Sequence, residues 1–62
     1  IRLDIMKKLD AISVDIDRLI SDLNEIGGKK DEVDTIGAAY WNVRRAMMKI
    51  NNNRTAEIMN NA

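Results

Sequence analysis

Apolar side chains recur along the first part of the chain with a fixed rhythm. Ile5, Leu9, Ile12, Ile16, Leu19, Leu23 and Ile26 are spaced alternately four and three residues apart. That spacing keeps one face of a helix apolar over three heptads and predicts a helix over about 2–26. The β-branched isoleucines cost a little helix propensity, which repeated packing positions outweigh. The rhythm stops at "IGGKKD". Gly27 and Gly28 suit the position just past a helix, where a left-handed backbone is needed. Asp31 is placed to cap a second helix, with Glu32 and Asp34 near its positive end.

A second stripe follows: Val33, Ile36, Tyr40, Val43, Met47 and Ile50, again three and four apart. The next two positions of this register, Arg54 and Glu57, are charged, and "INNNR" favours helix weakly. The second helix is therefore expected over about 31–50, with extension to 59 as the longer alternative. The turn, 27–30, is short, and short helix–helix connections join antiparallel neighbours. The expected fold is all-α: a single antiparallel two-helix hairpin over 1–62, coiled-coil-like, with the two stripes facing each other. Folding about the turn sets Leu23 near Ile36, Leu19 near Tyr40, Ile16 near Val43 and Ile12 near Met47.

Length changes how this hairpin is viewed. Sixty-two residues bury too little surface for comfortable stability without a staple. There is no cysteine, so no disulfide, and no histidine, the commonest metal ligand and near-neutral general base. What remains is regular helix packing completed by other helices. The outward side chains then matter. Neighbours on a helix point about 100° apart. Tyr40 therefore belongs to the inner seam opposite Leu19, and Trp41 is expected to turn away from it, above Met48. The two aromatic rings are not expected to cluster. Trp41 and Met48 lie seven apart on one flank of the second helix. Ala39 and Ala46 lie seven apart on the other flank, where small side chains admit another backbone. These four residues are the expected partner interface, for a second copy or for other helical chains.

Charge adds a direction. Formal net charge is zero, which provides no overall attraction to nucleic acid or anionic membrane. The halves differ, however. Residues 1–26 carry four basic and six acidic side chains, and residues 37–62 carry four basic and one acidic. An acidic helix beside a basic one suits antiparallel pairing and partner choice. The local basicity of "NVRRAMMKINNNR" raises an alternative, a small nucleic-acid-binding or regulatory protein contacting phosphates through Arg44, Arg45 and Lys49. Arg44 and Arg45 are adjacent and diverge, so they make no clean stripe.

Other chemistry finds no support. "IGGKKDEV" lacks phosphate-loop spacing and follows a helix instead of a strand. Asp10, Asp15 and Asp17 point in different directions on a helix and form no cation loop. No catalytic, cofactor or metal site is expected, and no apolar run is long enough to span a bilayer. The chain begins at Ile1, which fits a processed product or an excised piece. The expected role is a non-enzymatic structural or adaptor subunit working by helix–helix assembly.

Overall fold

The computed structural model describes residues 1–60. Helix α1 spans Arg2–Glu25 and helix α2 spans Lys30–Asn60. They pack against each other as an antiparallel hairpin. Both helices are long for so short a chain, about 36 and 46 Å at 1.5 Å per residue. The hairpin is consequently a narrow slab, 52 × 17 × 9 Å across its Cα atoms. Its radius of gyration is 15.1 Å, against about 10.6 Å for a globule of this length.

The turn follows from its two glycines. Gly27 has φ +71°, the left-handed conformation that costs any residue with a Cβ. That reversal lets the Gly27 N–H donate to the Asn24 carbonyl at 3.2 Å and the Gly28 N–H donate to the Leu23 carbonyl at 2.7 Å. These are the paired bonds of a Schellman motif, and they satisfy carbonyls that the end of α1 would otherwise leave bare. Gly28 is required for a different reason. A Cβ there would sit 2.9 Å from the Leu23 carbonyl oxygen.

The start of α2 differs from the sequence expectation. Lys30 is already helical, so Asp31 lies inside the first turn and is not the cap. Glu32 takes over, its Oε1 accepting the Lys29 N–H at 2.9 Å, while Asp31 Oδ1 accepts the Glu32 N–H at 3.0 Å. A glutamate at the third helical position commonly reaches back in this way, and both carboxylates sit at the positive end of the helix dipole. At the other end α2 does not stop near Ile50 but continues to Asn60. Arg54 is half-buried there, and Arg2 Nη2 meets Glu57 Oε1 at 2.8 Å across the hairpin. The charges that weaken the apolar stripe thus continue the pairing in another form.

Candidate functional site

Both helices present a half-buried line to each other, and α1 supplies the surprise. On α2 the inward positions are Val33, Ile36, Tyr40, Val43, Met47 and Ile50, all half-buried. On α1 the inward positions are Arg2, Met6, Leu9, Ser13, Ile16, Ile20 and Leu23. Leu9, Ile16 and Leu23 belong to the stripe read from the sequence. Ile5, Ile12, Leu19 and Ile26 do not: they are 41, 47, 51 and 80% exposed. α1 is rotated, so Met6, Ser13 and Ile20 take the places expected for Ile5, Ile12 and Leu19, and Ile26 lies past the end of the helix.

Ser13 explains the rotation physically. It is the one buried side chain among the described residues, 2% exposed, and its Oγ donates to the Asp10 carbonyl at 2.7 Å. A hydroxyl satisfied by its own helix costs little to bury. Its small size lets the helices approach, and the half-buried Ala46 is the small residue at the same level of α2. An isoleucine facing α2 there would hold the helices apart.

The register agrees with folding about the turn. Leu23 and Ile36 line one groove, and Arg2 pairs with Glu57 at the far end. With that register the hairpin has two broad faces of different character. One carries Ile5, Ile12, Leu19 and Ile26, each two helical turns from the next, a ridge about 31 Å long. Ala39 and Ala46 lie beside it on α2. The grooves confirm which flanks adjoin: Ile5 shares one with Glu57, and Leu23 shares another with Glu32 and Thr35.

The opposite face carries Trp41 and Met48, each 65% exposed. Met6, Arg44, Met47, Met48 and Asn51 line a groove on this side. Arg44 Nη1 crosses it to Asp10 Oδ1 at 3.3 Å. Trp41 and Ala39 therefore lie on opposite faces, and the four residues expected to form one partner interface are divided between two. The aromatic pair also departs from expectation. Tyr40 and Trp41 touch edge to face, with ring centroids 5.3 Å apart and planes at 81°. Their Cβ atoms diverge, but the rings are wide enough to close the gap, and this geometry is favourable for aromatic quadrupoles.

The three basic residues of the alternative reading are not brought together. Arg44 turns inward to Asp10, and Arg45 donates to Asn42 Oδ1 at 3.0 Å. No observation favours a phosphate-binding surface over a protein-binding one. Among the described residues no group of acidic side chains is placed to hold a metal ion, and no helix is long and apolar enough to cross a membrane. Comparison with known proteins finds no matching family, no matching curated protein and no matching solved structure.

Proposed function

We propose that this chain is a non-enzymatic assembly subunit, a helical hairpin whose task is to pack against further helices. The observation that carries the reading is the missing core. No apolar side chain among the described residues is buried, although 45% of the chain is hydrophobic. Accessible surface totals 4958 Å², whereas a compact protein of 7.0 kDa exposes about 4,000 Å². The excess, about 900 Å², compares with the roughly 800 Å² that each partner contributes to a standard protein interface. A chain without cysteine or histidine has neither disulfides nor imidazole-ligated metal to compensate for so thin a core.

The reading predicts that stability depends on association. Thermal unfolding followed by circular dichroism, over a dilution series, should show a midpoint that rises with protein concentration or on adding a partner chain. A hairpin that is monomeric by sedimentation, yet unfolds cooperatively at high and concentration-independent temperature, would overturn it.

A further inference from the structure

We infer that the partner is a second copy of this chain, seated on the face formed by Ile5, Ile12, Leu19 and Ala39 and Ala46. The inference rests on the assembly reading above and names its partner. This face carries both halves of a contact. α1 provides a ridge of large apolar side chains seven residues apart, and α2 provides two small ones, also seven apart. The hairpin register sets Ile12 level with Met47 and Leu19 level with Tyr40. Ala46 and Ala39 are each one residue away, about 1.5 Å along the axis.

A second copy turned about a twofold axis parallel to the helices puts α1 of each over α2 of the other. Ile12 then meets Ala46 of the second copy and Leu19 meets its Ala39, with both contacts repeated by symmetry. Ridge and groove coincide in height with no sliding of one copy against the other. The same surface patch is used twice, as a closed dimer requires. The product is an antiparallel four-helix bundle with the ridge inside it.

Charge favours this pairing over the other closed one. Laying α1 on α1 of the second copy joins two helices that each carry six acidic and four basic residues. Laying α1 on α2 joins the acidic segment to the basic one, with the Asp15 flank facing that of Lys49. The excess of the whole hairpin over a compact fold, about 900 Å², is of the size that one partner of a standard dimer covers. The Trp41 face is a weaker candidate. The Asp10–Arg44 ion pair crosses the groove between the helices there, and an apolar partner would have to cover it.

Sedimentation velocity of single variants tests the assignment. Leu19 and Ala39 are both exposed in the single hairpin, so Leu19→Glu and Ala39→Glu leave its own packing intact. Each is expected to abolish the dimer, whereas Trp41→Ala is expected to retain it. The chain has no cysteine, so a second readout is clean. Under mild oxidation, a mixture of the Leu19→Cys and Ala39→Cys chains should form a disulfide-linked dimer joining one of each, and neither chain alone should do so. A dimer dissolved by Trp41→Ala but kept by Ala39→Glu overturns the inference and leaves the assembly reading standing. A monomer that is poorly folded at every concentration does the same, since it calls for a different partner. A stably folded monomer overturns both.

Discussion

Replacing Ser13 with leucine tests the rotation of α1 directly. The sequence pattern alone makes Ile12 an inner residue and leaves Ser13 beside it. A leucine at 13 would on that reading be a harmless or stabilising gain of apolar surface. In the structure Ser13 is 2% exposed, on the face of α1 turned to α2. The added branches must displace α2 or leave their preferred rotamers. Forcing extra methylenes into a filled site costs about 1–3 kcal/mol. For 62 residues the whole stability is about 3–9 kcal/mol, so this is a large share. At about 4–8 °C per kcal/mol for a domain of this size, the midpoint should fall by roughly 4–24 °C. Ser13→Ala is the control. It loses the hydroxyl bond to Asp10, worth about 0.5–1.5 kcal/mol, and gains back about 0.5 kcal/mol of helix propensity. Asp10 lies inside α1, where its carbonyl accepts within the helix ladder, so the substitution orphans no buried group. Its midpoint should move little. Circular dichroism melts at equal protein concentration measure both. A Ser13→Leu chain that melts higher than the parent would refute the rotated seam.

The glycines separate into three kinds. Gly37→Ala meets nothing within 4 Å inside a helix and should stabilise by about 0.5–1 kcal/mol, read as a higher urea midpoint. Gly27→Ala forces a side chain to φ +71° and should destabilise by about 1–2 kcal/mol, while Gly28→Ala should add a steric clash with the Leu23 carbonyl. Glu57→Gln removes the exposed pair with Arg2 and should cost no more than about 1 kcal/mol, less in high salt, with faster amide exchange near the end of α2 as the visible effect. Tryptophan fluorescence offers an independent check on which face is covered: Trp41, 65% exposed, should keep a solvent-exposed emission maximum through dimerisation, and a blue shift on concentrating the protein would point to its own face instead.

Most of the architecture was legible because two kinds of signal agreed. The stripe from Val33 to Ile50 has one reading at helical period, and Gly27–Gly28 falls where a left-handed residue and a residue without Cβ are both needed. The end of α2 was less legible. Propensity weakens at Asn51–Asn53, but the Arg2–Glu57 pair forms only once the chain has folded back, and no local signal announces it.

The seam of α1 was misread for an instructive reason. Leu9, Ile16 and Leu23 belong to two overlapping stripes, one completed by Ile5, Ile12, Leu19 and Ile26 and the other by Met6, Ser13 and Ile20. Hydrophobicity ranks the first stripe higher, because burial is favourable whichever chain supplies the covering surface. A pattern of apolar residues marks a face that gains by being covered and does not say by which molecule. Within the hairpin the second stripe is the one turned to α2, and the buried Ser13 is satisfied there by its own helix. The better apolar stripe is thereby turned outward, beside Ala39 and Ala46. The residues that depart from the intramolecular expectation, Ile5, Ile12 and Leu19, are the ones on which the dimer proposal rests. In the dimer proposed above, Ile5, Ile12 and Leu19 would gain their cover from the second copy, and their spacing of seven keeps them on the one face that it would meet.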